Sequence, residues 1–458
     1  MQKTDKNSLL LSVLILLQPI LDICSYFAVK AGFTSVTTML RLAIFGCLII
    51  YAFLLSEKKK AYYIFAAIAG VYWLIHMAIS ARSGYQSVIA DLNGFARTVQ
   101  LPALTLAFIT LFRRAQKYPF AMGKYFSINY FIIGGSIILS FLVNQPVYTY
   151  FPKIGVLGWF ATGNAQSCIV SVLAIPALFY SYHRKSNVFF ILTMLVAFSI
   201  MFFLGTQVAL YSIFITGISF LAVMLWNREK RYVMAGALIV ALLVTCIALP
   251  YSPCRKNANA EENSISRWED YIDTGGIAVD TPSQQPETPT YVLQDTLLQP
   301  LEERFGYEKV LEIYGGEIDA YELIDNRQRK INFCRLAMAE QDIWALLFGC
   351  EDMDFCYNGD TFDPENDFPA IFFYYGIVGL GLYLAFLLYF VIILAKDIFK
   401  SLKKLPREKV FLGLTLALSM GVAQLSGNVL RRPNVSIFLS LMLAYVYHIC
   451  KIQKEQTA

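Results

Sequence analysis

Histidine is scarce in this sequence. Its 458 residues include three, His76, His183 and His448, and each lies within or beside a long apolar run. The large polar segment from Pro250 to Asp367 contains none. This absence argues against a zinc site with histidine ligands and against a Ser-His-Asp arrangement in that segment, so a general base there would be a carboxylate. The three histidines are interpreted as satisfied or interfacial residues.

Charged residues are also few. They make up 16% of the chain against 57% hydrophobic residues, whereas about a quarter of a soluble protein is charged. This balance excludes a large soluble protein. Because about 20 apolar residues cross the hydrocarbon of a bilayer, and because lipid offers no partner for an open backbone, the sequence predicts an all-α polytopic membrane protein. The basic residues form short clusters beside apolar runs, which indicates membrane topology and not nucleic-acid binding.

Twelve apolar runs are candidate spans. The first is interpreted as a span and not as a signal peptide, because no small-residue cleavage pattern follows it. The fourth is short and contains Pro102, and the stretch from Val188 to Leu225 is divided at Gly205-Thr206-Gln207 because it is too long for one span. The predicted spans are 9–29, 36–55, 61–80, 98–112, 125–143, 164–182, 188–204, 208–225, 232–249, 368–394, 410–426 and 434–450.

The distribution of lysine and arginine predicts the orientation. With both termini in the cytoplasm, the cytoplasmic connections and tails hold 22 of these residues and the short outer connections hold 7. This asymmetry follows the positive-inside rule. It predicts a multi-pass protein of the cell membrane with the large polar segment outside.

Three regions follow from hydropathy: a nine-span bundle over 1–249, an acidic extracellular loop over 250–367, and three spans with a tail over 368–458. The loop holds 25 of the 33 acidic residues and 9 of the 38 lysines and arginines. Its residues 254–296 are predicted to be irregular. Helical periodicity predicts one segment from Leu297 to Tyr314 and a second from Glu317 to Phe348, ended by Gly349, with turns over 350–366.

Four cysteines fall in the loop, and an even number in an oxidising compartment permits disulfides. Cys350 and Cys356 are close enough in sequence to pair, and free thiols are the alternative. The four are Cys254, Cys334, Cys350 and Cys356.

The second loop helix carries a basic face. At 100° per residue, Arg327, Lys330 and Arg335 share one side of it, while Arg329 points away. Such a face can hold phosphate, for which the arginine fork is well suited. The alternative is ordinary salt bridging to acidic neighbours, namely Glu322, Asp325 and Glu340.

Two carboxylates, Glu365 and Asp367, come just before the tenth span. They are interpreted either as residues stabilised by a helix dipole or as a base at the membrane surface.

Basic residues in outer connections also need a reason, because they oppose the topology bias. Binding an anionic headgroup or pyrophosphate is one, and pairing with the acidic loop is another; the residues are Arg82 and Arg97 beside Asp91, and Arg431 and Arg432. Asp22 and Arg41 could pair with each other.

Several short stretches, in this order and around one large loop, resemble the O-antigen ligase and polysaccharide polymerase superfamily. Arg327 stands 22 residues before Gly349, and Glu365-Asn366-Asp367-Phe368 leads into a Gly-aromatic span. The stretches are Gly163-Asn164-Ala165, Leu204-Gly205-Thr206-Gln207-Val208-Ala209-Leu210, Phe348-Gly349, Tyr375-Gly376-Ile377-Val378-Gly379-Leu380, Gly427-Asn428-Val429-Leu430 and Pro433-Asn434-Val435-Ser436.

The resemblance implies a metal-independent enzyme without a cofactor, with a fold related to C-type glycosyltransferases. Such enzymes move a glycan from undecaprenyl pyrophosphate to an acceptor hydroxyl on the outer face. Arg327 would occupy the loop-arginine position and Asp367 the acidic position. The chain departs from the pattern at Gln207, where the family usually has Arg or Lys, and at Asn428, where it often has His. The pyrophosphate role would then shift to Arg431, Arg432 or Arg97.

Polymerisation of a capsular or cell-surface polysaccharide is therefore the favoured function. A ligase that attaches finished polysaccharide to a wall or lipid anchor is an alternative, as are a lipid-linked glycan flippase or transporter and a non-catalytic scaffold. The implied partners are an undecaprenyl-pyrophosphate-linked glycan and membrane lipid, with a chain-length regulator or a flippase as candidate protein partners.

Overall fold

The structure is a computed structural model that describes residues 6–33, 36–115, 118–151, 153–260, 298–316, 325–400, 406–427 and 429–457. Among these residues, twelve helices are long and apolar enough to cross a membrane, as the sequence predicts. They are α1 Lys6–Lys30, α2 Val36–Leu55, α3 Lys59–Ser83, α4 Val88–Arg114, α5 Tyr118–Leu142, α6 Gly163–His183, α7 Asn187–Leu204, α8 Gln207–Trp226, α9 Tyr232–Ala248, and three C-terminal helices given below.

The remaining described elements belong to the loop and the C-terminal part of the chain. The loop contains α10 Gln299–Phe305, α11 Tyr307–Ile313, α12 Asn326–Ala339 and α13 Ile343–Phe348, then a 3-10 turn at Asp352–Phe355 and the strands β1 Cys356–Tyr357 and β2 Asp360–Thr361. The last membrane helices are α14 Asp367–Phe399, α15 Arg407–Leu425 and α16 Pro433–Tyr447, followed by a π turn at His448–Ile452 and α17 Gln453–Thr457.

The predicted division at Gly205-Thr206-Gln207 is confirmed. Helix α7 ends at Leu204, Gly205 takes the left-handed conformation at φ 80°, and the Thr206 side chain caps α8 by accepting a hydrogen bond from the Ala209 amide. Glycine tolerates a positive φ, and threonine satisfies an amide that the helix leaves open.

The predicted start of the fourth span was wrong. Helix α4 begins at Val88 and not at 98, because the Ser87 hydroxyl accepts from the Ala90 amide and Asp91 lies in the first turn. Asp91 and Arg97 therefore belong to a membrane helix and not to a connection. Pro102 lies inside the helix, which continues past it to Arg114.

Contacts group the chain into two compact units. The first contains Met1–Ala69, Arg97–Lys256 and Leu384–Ala458, and the second contains Gly70–Ala96 and Asn257–Tyr383. In the first unit, α6 is almost completely buried and packs against α5, α7, α8, α15 and α16. Small residues on α6 allow this close approach, and its Ser167 shares a hydrogen bond of 2.7 Å with Thr206. The three regions predicted from hydropathy remain a prediction.

The second unit has a small aromatic core of its own. The Phe333 ring stacks on Phe362 with centroids 3.9 Å apart and meets Phe305 edge-on at 5.0 Å. These rings join α10, α12 and the segment after β2. The predicted turns over 350–366 thus include a 3-10 turn and a two-stranded ribbon that pairs Cys356 with Thr361.

Both predicted loop helices are divided. The first breaks at Gly306, with φ 84°, into α10 and α11. The second ends at Ala339, and Asp342 caps a new helix, α13, through the amides of Trp344 and Ala345. Gly349 ends α13 as predicted. Residues 253–260 are helical although irregular structure was predicted from 254, and residues 261–297 and 317–324 lie outside the described part.

All nine cysteines are free thiols. The Cys350–Cys356 bond that the spacing permits is not formed. Cys350 is buried and its amide donates to the Phe373 carbonyl, while Cys356 lies in the ribbon near the Thr361 hydroxyl.

Candidate functional site

Two of the loop cations that were predicted to bind phosphate contact one of the two carboxylates before the tenth span. The Arg327 Nε lies 3.2 Å from Oε2 of Glu365, and the Lys330 Nζ lies 3.6 Å from its Oε1. The two cations are one helical turn apart on α12 and therefore share a face. The helix starts there because the Asp325 carboxylate caps it, accepting from the Arg327 amide at 2.9 Å.

The other members of the predicted basic face lie elsewhere. Arg335 is exposed and donates to Asn332, and Arg329 donates to Asn326 at 3.0 Å. Glu340, expected as a partner for this face, pairs instead with Arg304 and Lys309. Glu322 lies outside the described residues. The basic site on α12 therefore consists of Arg327 and Lys330.

The two predicted carboxylates have different surroundings. Asp367 is the first residue of α14 and is buried, with 2% of its surface exposed. Glu365 is half-buried, and both its oxygens face cations. Glu365 thus holds Arg327 and Lys330 beside the start of a membrane helix, where the positive end of the helix dipole also favours anions.

Below this start, the end of α13 crosses α14 at two glycines. Gly349 has φ 89° and Gly376 has φ 59° with ψ −170°, which interrupts α14. A Cβ on Gly349 would collide with the Tyr374 carbonyl group, and one on Gly376 would collide with the Leu347 carbonyl group. Only residues without a side chain permit this crossing. It explains why glycines stand in the Phe348-Gly349 and Tyr375-Gly376 stretches.

Three side chains from α3 and α4 hold the crossing together. The Tyr72 hydroxyl lies between the carbonyl oxygens of Phe348, at 2.9 Å, and Tyr375, at 2.6 Å, which share its single proton. His76 contacts the same Phe348 oxygen through Nδ1 at 2.8 Å and the Asp91 carboxylate through Nε2 at 3.1 Å. His76 and Asp91 are both buried in the protein.

The acceptors around His76 constrain where its protons lie. A carbonyl oxygen only accepts, so Nδ1 of His76 carries a proton. Nε2 faces Asp91, so one further proton lies between them, and the pair is either imidazolium with carboxylate or imidazole with carboxylic acid. Both forms are neutral overall, as a buried pair requires. Tyr85 also donates to Asp91, at the same Oδ2 oxygen that faces His76, at 2.5 Å.

The loop is also tied to the connection before α4. The buried Glu351 carboxylate accepts from the amides of Gln86, at 2.8 Å, and Ser87, at 3.4 Å. Burial raises the pKa of Glu351, and these backbone hydrogen bonds oppose the shift. Burial and then the nearby Glu351 carboxylate raise the pKa of Asp354 from 3.8 to about 6. Asp354 therefore contributes stability that is lost as the pH rises through about 6.

His76 was interpreted from the sequence as a satisfied or interfacial residue. Both of its ring nitrogens have partners in the structure, but the sequence did not predict which residues these are. One signal was available. His76 lies well inside a predicted span, whereas His183 and His448 lie at span ends. An ionisable residue inside a span requires a partner, and Asp91 follows 15 residues later.

A second set of predicted cations occurs in the first unit. Gln100 of α4 donates to Ser436 of α16 at 2.7 Å, and Ser440 contacts the Leu101 carbonyl further along. The two helices therefore run in the same direction. Predicted cations lie toward this end of both helices, Arg97 within α4 and Arg431 and Arg432 just before α16.

The start of α16 contacts a buried ion pair. Asp22 and Arg41 pair at 2.7 Å, confirming the predicted partnership, and Asn434 donates to the same Asp22 oxygen at 3.0 Å. Gln207 is exposed at the first position of α8, while Asn428 lies outside the described residues. No group of three or more metal-ligating side chains occurs within the described ranges.

The fold and the loop define a class, a multi-pass α-helical membrane protein with a large polar loop packed on helix ends within its second unit. The family model described as "O-antigen ligase like membrane protein" matches residues 4–455, so the chain belongs to this family. A search of curated proteins finds no match. Membership points to ligation or polymerisation of membrane glycans, with a lipid-linked glycan as substrate.

Proposed function

We propose that this protein transfers a glycan from undecaprenyl pyrophosphate to an acceptor sugar hydroxyl on the outer face of the cell membrane, and so polymerises a capsular or cell-surface polysaccharide. One observation carries the proposal. Arg327 and Lys330 are held together by Glu365, two residues before the buried Asp367 at the start of α14. Fixed cations and a carboxylate are the groups that this transfer needs.

In this reaction the cations would stabilise the leaving group. The bond between the anomeric carbon and the pyrophosphate oxygen breaks, and the acceptor oxygen forms the new bond to that carbon. Pyrophosphate leaves with the electron pair, and fixed positive charges stabilise it. Arg327 and Lys330 would bind it, and Arg97, Arg431 and Arg432 of the first unit remain candidate pyrophosphate ligands.

The acceptor assigns a role to the carboxylates. Its hydroxyl must lose a proton as the new bond forms, and a carboxylate within hydrogen-bond distance can receive it. Asp367 is our candidate base. Glu365 would act mainly as a positioning residue, because its two oxygens hold Arg327 and Lys330.

We expect Arg327→Ala and Asp367→Ala each to abolish long-chain glycan, since loss of a general base costs about 10²–10⁴-fold in rate. The measurement is the glycan ladder of cells that carry each variant, with the amount of protein in the membrane as a reference. Lys309→Ala and Glu312→Ala, at exposed loop positions, are the matched controls. Normal ladders in both site variants would refute the assignment.

A second measurement separates a binding role of Arg327 from a purely structural one. If Arg327 served only as the partner of Glu365, then Glu365→Gln and Arg327→Ala would lower the membrane-inserted protein equally. We expect instead that both variants insert and that Arg327→Ala loses more product.

Lipid-linked glycans of a deletion strain distinguish the possible reactions. Accumulated single repeats support polymerisation. Accumulated full-length lipid-linked polymer would show a ligase, and neither product would point to a transporter or a scaffold.

A further inference from the structure

The first unit contains a cavity of about 750 Å³. It lies where α2 ends and α3 begins, and it is closed by the last turns of α4, by the second half of α14 and by α16. Its volume falls within the range of small-molecule sites, roughly 300–1,000 Å³. None of the residues discussed under the proposed function lines it. Its wall has a basic part, Lys58, Arg113 and Arg114, and an apolar part, Leu106, Phe386 and Phe390.

The cations in the basic part of the wall pair with carboxylates that an anionic ligand can replace. Arg114 pairs with Glu57 at 3.0 Å, but the Glu57 side chain is 82% exposed. Lys58 lies 3.6 Å from Glu455, and its own side chain is 62% exposed. Exposed ion pairs contribute little to stability, so an incoming anion can replace either carboxylate.

The charges in the basic part of the wall favour binding of an anion. Glu455 serves both Lys58 and Arg113, the latter at 3.0 Å, while Arg114 has Glu57. Three cations thus face two carboxylates. Arginine also offers a planar fork that fits two oxygens of a phosphate.

The apolar part of the wall suits a hydrocarbon chain. Phe386 and Phe390 lie one turn apart on α14, opposite Leu106 on α4. The Tyr62 and Thr110 hydroxyl groups in the same wall bond each other at 2.8 Å. Leu54, on the adjoining turn of α2, is 66% exposed. In a membrane protein such an apolar surface faces lipid.

From this combination we propose that the cavity binds an anionic glycerophospholipid. Its phosphate lies between Lys58 and Arg114, and an acyl chain lies along Phe386 and Phe390. Basic pockets between membrane helices are a known means of binding anionic headgroups. With the orientation expected from the lysine and arginine bias, the site is cytoplasmic. It would then be separate from glycan transfer.

The test uses the purified full-length protein, stripped of lipid in detergent. Binding of phosphatidylglycerol is measured by native mass spectrometry, beside phosphatidylcholine with the same chains and beside inorganic phosphate. Each basic residue near an anionic headgroup contributes about 1 kcal/mol. We therefore expect Lys58→Gln with Arg114→Gln to weaken phosphatidylglycerol binding about tenfold to thirtyfold. Lys396→Gln with Lys400→Gln, two exposed cations of α14 and its end, is the control with equal charge loss.

A second variant tests the cavity without changing charge. Ala61 lines the cavity and is exposed, so Ala61→Trp should fill it and remove the bound lipid. Undiminished binding in both the double variant and Ala61→Trp would overturn the proposal. Equal binding of phosphatidylcholine would also overturn it, as would competition by inorganic phosphate alone or an equal loss in the control.

Discussion

At His76, a single buried side chain joins three parts of the second unit. Its two ring nitrogens face acceptors on α4 and at the end of α13, and Tyr85 adds a donor from the connection between α3 and α4. Asp91 is buried, so its carboxylate depends on donors from the protein. The contact with Phe348 requires a proton on Nδ1 of His76, and the contact with Asp91 requires a proton on either Nε2 or the carboxyl group. Substitution of either side chain therefore changes the hydrogen bonds of the other.

We expect His76→Phe to destabilise the protein strongly and Asp91→Asn to be tolerated. The phenylalanine leaves Asp91 without its ring partner, and breaking a buried pair costs about 3–5 kcal/mol. Both His76 Nε2 and the Tyr85 hydroxyl contact Oδ2 of Asp91. The asparagine amide nitrogen at that position can donate one hydrogen to Nε2 and the other to the Tyr85 oxygen. Thermal unfolding in detergent measures both effects. Equal losses in the two variants would contradict the proton assignment.

Among the elements, the junction between α13 and α14 determines where the loop meets the membrane helix. The amide of Cys350 donates to the Phe373 carbonyl at 3.1 Å, and Tyr72 spans both backbones. The crossing is made of backbone groups and two glycines, so it tolerates little change in volume. It fixes the start of α14, and with it Asp367, against the end of α13.

Gly349→Ala should therefore be far more destabilising than Gly306→Ala. Both glycines combine a positive φ, at 89° and 84°, with an extended ψ, at 176° and 145°, so both variants carry similar backbone strain of about 1–3 kcal/mol. A Cβ at Gly306 meets nothing within 4 Å, whereas one at Gly349 collides with the Tyr374 carbonyl group. The difference in unfolding temperature between the variants isolates the collision. Equal shifts would show that the two backbones can separate without loss.

For the whole molecule, the distribution of charge predicts which side of the membrane each connection faces. Lysine and arginine are concentrated in alternate connections, which predicts cytoplasmic termini and an extracellular loop. The acidic character of the loop agrees with that orientation without determining it, because acidic residues contribute little to topology.

Cysteine labelling tests the sidedness. Glu308→Cys places a thiol on the exposed face of α11 in the loop, and Lys400→Cys places one after α14. In intact cells, a maleimide that cannot cross membranes should modify position 308 and leave position 400 unmodified. Peptide mass spectrometry distinguishes these sites from the native cysteines, and lysed cells provide the control. Labelling at position 400 in intact cells would reverse the predicted orientation.

The spans and several of their ends could be predicted because their causes are local. A window of about 20 apolar residues indicates a membrane helix, and the glycines at positions 205 and 349 end helices by their own backbone preference. The start of α4 was missed because hydropathy falls there, while a serine cap and a buried histidine partner keep the chain helical.

What the amino-acid sequence by itself determined is the class of protein, the twelve spans and the candidate charges. The pairing of those charges was decided by tertiary structure. Arg327 meets Glu365 across 38 residues, and His76 meets Phe348 across 272. Hydropathy acts within one segment, whereas the partner of a buried polar group is whichever residue the fold brings within about 3 Å. Periodicity within one segment contains no information about that residue.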